Sequence, residues 1–316
     1  MTAYVIRKIL TGLLVLLLAS VVVFAFLRFT RGDPAALIAG PDATPDAVAR
    51  IRHELGLDES AFRQYFTWLS GLLHGDLGRS YFSNEPVSSV ISRGLSSSGA
   101  LAGLALVLAV LFAVPLGIAG AVSRSRAARA VLSAVTTVSL AVPTYVTGVI
   151  FVLIFSIYLP VFPAGGYVPL LSDPLEGLRS LVLPALCLAI PVSAVLARYL
   201  KSALLEVLDQ EYILAARLRG IGPTRLLLRN ALPNAVPSTI TVLGVQAGQI
   251  LGGAIVIEAL FAWPGLGNSV LQAVLNHDYP LVQGLLLLAV ATFIAIQVLT
   301  DVVHAAVDPT IGQGVR

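Results

Sequence analysis

The side chains that could perform chemistry are few in this chain and lie apart from one another. The histidines are His53, His74, His277 and His304, and the single cysteine is Cys187. Nucleophilic catalysis needs a serine or cysteine within hydrogen-bond reach of a base, and each histidine lies at or beyond the end of an apolar stretch. No two histidines and a carboxylate show the spacing of zinc ligands. We therefore expect no catalytic and no metal-binding residues.

A nucleotide site of the phosphate-loop type is excluded as well. The pattern Gly-x4-Gly-Lys-Ser/Thr requires a lysine, and the lysines of this chain, Lys8 and Lys201, stand in no such setting. We expect the chain to bind no cofactor, and any ATP that drives it would be hydrolysed by a separate subunit. A net charge of +3 gives no reason to expect a nucleic-acid partner.

The composition indicates an integral membrane protein. The 316 residues are 57% hydrophobic and 12% charged, with a mean hydropathy of +0.90. Soluble domains carry about 25% charged residues, so the missing charge indicates that a lipid bilayer surrounds much of the chain. One cysteine excludes an intramolecular disulfide.

Apolar stretches long enough to cross a bilayer predict an all-α fold with six transmembrane helices. The predicted spans are residues 9–27, 99–122, 131–159, 181–197, 238–257 and 281–300. These spans define an uncleaved N-terminal transmembrane anchor helix and a small extracytoplasmic helical cap, followed by a five-helix core and a short tail. Their bounds are 1–29, 30–97, 98–307 (with a cytoplasmic loop at 202–236) and 308–316.

The distribution of basic residues predicts the orientation. Lysines and arginines cluster before the first span (Arg7 and Lys8), between the second and third spans, and between the fourth and fifth. The two connections on the other side, 159–181 and 258–280, hold a single basic residue, Arg179. Because basic loops stay in the cytoplasm, we expect both termini and the 202–236 loop there.

Turn residues predict two helices in the cap. Thr44 and Pro45 form an N-cap and first helical position, and Gly56 and Gly75 are placed to end the two helices. The spans themselves contain no Asp, Glu, Lys, Arg or His. Intramembrane ionisable residues mark proton relays, so their absence argues against a proton-driven transporter, while sodium coupling through backbone carbonyls stays open.

Residues 211–237 form a basic, alanine-rich polar segment between apolar spans. Leu214, Leu218 and Ile221 lie at i, i+4 and i+7 and predict one apolar stripe on a helix. Gly220 is expected to end this helix, and a second helix is expected to begin with a proline at its first position. Two further prolines, Pro233 and Pro237, are expected to close the segment.

This segment resembles the cytoplasmic coupling loop of bacterial ABC-importer permeases. That motif runs Glu-Ala-Ala, three residues, Gly, nine residues, Ile, one residue, Leu-Pro. Its alanines, glycine and final Leu-Pro are matched by Ala215, Ala216, Gly220, Leu232 and Pro233, whereas Leu214 replaces the glutamate and Asn230 the isoleucine.

Three other segments are similar to the dipeptide and oligopeptide branch of these permeases. Residues 75–87 resemble part of its first extracytoplasmic loop, residues 261–267 with 276–284 its last extracytoplasmic loop, and residues 301–309 its C-terminal signature. The resemblance implies a bacterial inner-membrane permease of an ATP-driven peptide importer, with the type I (MetI-like) core plus an extra N-terminal helix. It also implies a second homologous permease subunit, in a heterodimer, together with two ABC ATPase subunits and an extracytoplasmic substrate-binding protein.

The resemblance assigns three groups of site residues. The ATPase-coupling residues would be Glu211, Leu214, Ala215, Ala216, Arg217, Arg219, Gly220, Leu232 and Pro233. The surface for the binding protein would include Trp263, Pro264, Gly265, Asp278 and Tyr279, with interfacial aromatics as the alternative for Trp263 and Tyr279. Gly244, Gly248 and Gly252 would line the pathway, or serve close helix packing, which is the commoner role of such residues.

Several hypotheses stay open from sequence alone. Glu258, at the outer end of the fifth span, could contact substrate or a binding protein, or be a snorkelling or helix-end charge, and we favour the latter interpretation. A self-sufficient secondary transporter or channel is the alternative function, and a membrane hydrolase would need an active serine or cysteine, for which Cys187 is a candidate. The substrate, whether dipeptide, oligopeptide, glutathione or nickel complex, is left undecided.

Overall fold

The computed structural model describes residues 2–29, 33–40 and 42–307, and the elements in these ranges are helices. The predicted tail and residues 308–309 of the C-terminal signature lie outside the described residues. The helices are α1 Thr2–Phe29, α2 Pro34–Ala39, α3 Pro45–Glu54, α4 Ala61–Leu73, α5 Val87–Val122, α6 Arg126–Ala141, α7 Thr144–Phe151, α8 Pro174–Leu208, α9 Glu211–Leu218, α10 Pro223–Leu226, α11 Leu232–Leu260, α12 Leu266–Leu275 and α13 Tyr279–Val307. Two π-helical stretches, Val152–Tyr158 and Leu227–Ala231, follow α7 and α10.

The chain divides into two compact units, to which α5 and α13 both contribute. The core unit comprises Gly99–Trp263 and the described residues from Ala295 onward. The N-terminal unit comprises the described residues of Thr2–Ser98 together with Pro264–Ile294.

Helix α8 is the buried element of the core unit. Its start is set by Asp173, whose side chain accepts hydrogen bonds from the Leu175 and Glu176 backbone N–H groups, and 72% of its most apolar 18-residue stretch is buried. Leu183, Leu196 and neighbouring apolar side chains of α8 pack with residues of α5 and α11 in one cluster. This central helix includes the predicted fourth span.

Five helices of the described chain are long and apolar enough to cross a membrane, and a bent pair brings the number to six. At the predicted span 131–159 the structure has this bent pair and not one straight helix, because α6 and the helix that follows it meet at 100°. Pro143 explains the bend. A proline disfavours helical geometry in the residue before it, and Val142 adopts ψ 122°.

The sequence led us to expect that Pro233 and Pro237 close the polar segment, and this expectation is wrong. Pro233 stands in the first turn of α11 and Pro237 lies inside that helix, so residues 223–260 form one span. The π-helical stretch Leu227–Ala231 shifts the hydrogen-bonding register just before Pro233. A proline in the first turn lacks only an N–H group that the helix would leave unpaired.

Local capping orders the helices of the N-terminal unit as predicted. The Thr44 Oγ1 atom accepts a hydrogen bond from the Ala47 N–H group, and Gly56 and Gly75 take positive φ angles of 63° and 81°. Helix α4 is held to α1 by aromatic side chains: the Phe24 ring lies 5.3 Å from that of Tyr65.

Substituting Gly244 tests the contact between α11 and α13 within the core unit. A Cβ at Gly244 would lie 2.0 Å from the Thr300 Oγ1 atom, so Gly244→Ala should force the two helices apart. Overpacking costs about 1–3 kcal/mol, and we expect a lower midpoint of thermal unfolding in detergent.

The matched control is Gly252→Ala on the same helix, where a Cβ would meet no atom within 4 Å. Its unfolding midpoint should be unchanged or slightly higher, because alanine is the better helix former. Equal losses in both variants would contradict the packing assignment.

Candidate coupling surface and connecting loops

The polar segment folds as two helices joined at Gly220. The Gly220 N–H group donates to the Arg217 carbonyl (2.9 Å) and the Ile221 N–H group donates to the Ala216 carbonyl (3.3 Å). This pair of bonds is the Schellman arrangement, which needs a left-handed residue at the helix end, and Gly220 supplies it with φ 80°. The glycine in the resembling motif therefore sets the angle at which the next helix begins.

The burial pattern of α9 separates structural from exposed residues. Ile213 (0% exposed) and Ala216 (1%) pack against Leu200 and Leu204 of α8 and against Leu226. The predicted apolar stripe is only partly buried: Leu214 and Leu218 are 58% and 82% exposed, whereas Ile221 packs on the cluster. A bulky charge at Ala216 would therefore disturb the local fold, so exposed positions are better probes of docking.

The remaining predicted coupling residues lie on or beside this exposed face. Glu211, Ala215, Arg217, Arg219 and Pro233 are exposed, and Leu232 is half-buried. Within the described residues, no salt bridge joins Arg217 or Arg219 to a carboxylate. We name this face, formed by Leu214, Leu218 and the two arginines, the coupling surface. It is apolar at its centre and basic at its edge.

Helix α9 is also braced from α11. The Asn234 side-chain amide donates to the Tyr212 hydroxyl (3.2 Å) and to the Asn230 carbonyl (2.6 Å). Neither Asn234 nor Tyr212 was predicted as part of the site, because a contact between residues 22 positions apart leaves no local pattern in the sequence. The brace connects the coupling surface directly to a membrane span.

Asp278 organises the loops of the N-terminal unit. It is 1% exposed, and its carboxylate accepts hydrogen bonds from the Ser80 hydroxyl and from the backbone N–H groups of Tyr81 (3.0 Å) and Leu281 (3.4 Å). The carboxylate thus ties the 75–87 segment to the start of α13. This burial means that Asp278 could support a docking surface only from beneath.

Trp263 has a similar supporting place in the core unit. Its indole is 1% exposed and meets the Tyr167 ring edge-to-face at 4.8 Å. Of the other residues predicted for docking, Pro264 is exposed, Tyr279 is half-buried and Gly265 is buried. The docking role stays a prediction, and Pro264 and Tyr279 are its accessible members.

The three pathway glycines of α11 lie in different surroundings. Gly244 abuts Thr300, so it follows the packing alternative. Gly248 is half-buried, and Gly252 is exposed. Glu258 lies in the last turn of α11 but is 0% exposed, so its side chain does not snorkel to solvent. Among the described residues no cluster of three metal-ligating side chains occurs.

A cavity of about 500 Å³ in the N-terminal unit was not anticipated. Arg28, Trp68 and Tyr81 line it with residues of α3, α4 and α13. Burial, together with the Asp278 carboxylate, raises the pKa of Tyr81 to about 12. The Tyr81 hydroxyl therefore stays protonated at neutral pH. The residues that line this cavity come from separate segments of the chain, so no single sequence motif could have indicated the cavity.

Long apolar helices, together with a bent helix pair, are typical of a multi-pass membrane protein. Residues 113–313 match the family described as the binding-protein-dependent transport system inner membrane component. Residues 1–102 match the N-terminal membrane component of such systems. The chain belongs to this family and is a permease of an ABC importer.

Relatives and a solved structure agree with this assignment. The chain is 39% identical, over 98% of its length and 99% of the relative's, to a putative peptide transport system permease protein of Brucella abortus strain 2308. It is 35% identical, with the same coverage, to the glutathione transport system permease protein GsiC of Salmonella choleraesuis. The inward-facing MetNI methionine ABC transporter shares the fold, with a TM-score of 0.60 and 20% identity, over 71% of this chain and 99% of that one.

Replacing Asp278 tests its role as the tie between loops. Asp278→Ala would leave the Ser80 hydroxyl and the Tyr81 N–H group without their acceptor, at about 1–3 kcal/mol for each buried group. We expect a lower unfolding midpoint and faster hydrogen exchange in residues 76–86.

Glu85→Ala is the control, since Glu85 pairs with Arg93 at the surface. Exposed ion pairs contribute about 0–1 kcal/mol, so exchange should change little. Unaltered exchange in Asp278→Ala would show that the loop is held by other contacts.

Proposed function

We propose that this permease is a subunit of an importer for short peptides, which uses ATP hydrolysed by two separate ATPase subunits. The relatives that support a peptide substrate are named for peptide and glutathione transport, and glutathione is itself a short peptide. The chain binds no nucleotide of its own. An extracytoplasmic binding protein delivers the substrate, and selectivity rests largely with that protein.

The exposed coupling surface is the observation that carries this proposal. Two leucines at i and i+4 face outward on a helix whose other side is packed against α8. A desolvated apolar centre with a charged edge is typical of a protein–protein interface. The ATPase subunits dock at this surface, and Arg217 and Arg219 at its edge suit acidic residues of the partner.

The connections of α9 explain how docking could move the membrane spans. Ile213 and Ala216 pack against the end of α8, and the hydrogen bond between Tyr212 and Asn234 joins α9 to α11. Closure of the ATPases would displace α9, and both spans would follow, because packed helices shift as units. Access then alternates between the two sides of the membrane.

The second half of the pathway is a homologous permease, which we infer to be a different chain. Gly252 and Val256 are exposed on α11, leaving part of this helix open to a partner or to the pathway. The connection that holds Leu171 lies outside the cytoplasm, and the coupling surface and both termini lie within it, in the bacterial inner membrane.

Leu218→Asp tests ATPase docking in the complex co-expressed with its partners. The change places a charge at the centre of the coupling surface, where desolvation makes an unpaired carboxylate costly. We expect at least roughly tenfold less ATPase subunit to co-purify, as for a central interface residue, with the unfolding midpoint of the permease unchanged.

Leu171→Asp is the control, because Leu171 is also fully exposed but lies in the connection before α8. It should retain its ATPase partner. Full retention by Leu218→Asp, or solute movement by the purified chain without any ATPase, would contradict the proposal and favour a self-sufficient transporter.

The buried Cys187 allows a direct test of orientation. In a Cys187→Ala background, Leu171→Cys should react with a membrane-impermeant maleimide in intact spheroplasts. Leu218→Cys should react only after the membrane is permeabilised. The reverse labelling pattern would overturn the proposed orientation.

A further inference from the structure

A polar cavity of about 250 Å³ lies between α5, α6 and α8 of the core unit. Its lining combines cations with hydroxyl groups: Arg198, Lys201, Ser133, Thr136 and Ser202, together with apolar residues and Gly120. It contains no carboxylate, so every formal charge at this cavity is positive. Such a lining favours an anionic ligand.

The two cations of the cavity lie close together on α8. Arg198 and Lys201 lie three residues apart on α8, which places them on neighbouring turns of one face. None of the ion pairs within the described residues involves either side chain. Their charges are therefore available to a ligand from outside the chain.

Lys201 is positioned by a close approach of α5 to α8. A Cβ at Gly120 would lie 3.1 Å from the Lys201 Cδ atom, so the lysine stem rests on the bare glycine backbone. One turn earlier, a Cβ at Gly117 would lie 3.0 Å from the Ala197 carbonyl oxygen. Contact with α5 thus holds the lysine stem, while Arg198, Ser133 and Ser202 are exposed, so the cavity opens to the surface of the core unit.

Helix α6 also presents basic and hydroxyl side chains on one of its faces. Arg126, Arg129, Ser133 and Thr136 recur at i, i+3, i+7 and i+10, which is one face of a helix. Thr136 is nearly buried and its hydroxyl donates to the Ser133 carbonyl (3.0 Å). Its oxygen can still accept, and the Ser133 and Ser202 hydroxyls can donate to an anion.

An apolar stripe on α6 indicates that this helix borders the lipid bilayer. Val131, Val135 and Val138 are 61%, 46% and 59% exposed and lie at i, i+4 and i+7, on the side of α6 opposite its polar face. Arg198 directly follows the apolar stretch 181–197, at the depth of lipid headgroups. An anion that meets the cations at this depth, between helices one of which borders the lipid, would be the phosphate of a lipid headgroup.

We propose that this cavity binds the phosphate of an anionic phospholipid headgroup in the cytoplasmic leaflet. The assignment of the leaflet rests on the proposed orientation. Basic pockets between transmembrane helices on this side suit anionic headgroups, and the hydroxyls at this site add hydrogen bonds to the phosphate oxygens.

The test uses the purified full-length chain in phosphatidylcholine nanodiscs, to which a fluorescent phosphatidylglycerol is added. Wild-type protein should bind phosphatidylglycerol over labelled phosphatidylcholine, and Arg198→Gln with Lys201→Gln should lower the affinity by roughly tenfold or more. Lys201→Arg, which keeps the charge, should retain binding. The control, Arg217→Gln with Arg219→Gln, removes two arginines from the coupling surface and should leave lipid binding unchanged.

Each other outcome overturns the proposal. Equal binding of the two lipids, or unchanged binding in the Arg198/Lys201 variant, would show that the cavity is not an anionic-lipid site. Displacement of the labelled lipid by millimolar inorganic phosphate as readily as by unlabelled phosphatidylglycerol would identify a free-anion site. If lipid binding persists in the variant, and the variant loses its ATPase subunit in a separate co-purification, the cations serve docking. Since lipid binding is measured without ATPase, its failure is separate from a failure of the proposed function.

Discussion

The packing of α8 is the interaction on which the rest of the core unit depends. In a bilayer the hydrophobic effect gives helices little reason to associate, so close contact between surfaces must hold them. Leu183 and Leu196 belong to the cluster shared with α5 and α11. Two turns further on, Leu200 and Leu204 form the floor on which α9 rests. One uninterrupted helix therefore serves both the membrane core and the coupling surface.

Features that depend on a few neighbouring residues could be predicted from sequence. Thr44 caps its helix, and Gly56, Gly75 and Gly220 end theirs with positive φ, because capping and left-handed geometry are decided within one turn. The number of spans followed from apolar length. The effect of each proline did not: Pro143 separates two helices at 100°, whereas Pro184 and Pro191 lie inside α8. A helix that is packed on many sides holds its course through a proline, and that packing is a tertiary property.

The candidate site shows the same division. The motif located the coupling segment and its glycine, but spacing could not tell which apolar face of α9 is buried. Ile213 and Ala216 share one face, Leu214 and Leu218 another, and both are consistent with an amphipathic helix. Only the position of Leu200 and Leu204 decides between them. Asp278 was likewise predicted to lie at the surface, although it is buried. Its burial could not be predicted, because the groups that donate hydrogen bonds to its carboxylate come mainly from a segment nearly 200 residues away.

The C-terminal end of α8 carries two candidate sites on different faces of the same turns. Arg198 and Lys201 face the cavity shared with α5 and α6, while Leu200 and Leu204 face α9 and α10. A helix is stiff over so short a length, so a ligand that holds the two cations also holds the two leucines. The headgroup and the ATPase subunits would then act on one element from opposite sides. Coupling between them requires no separate pathway through the protein, because α8 is itself the shared element.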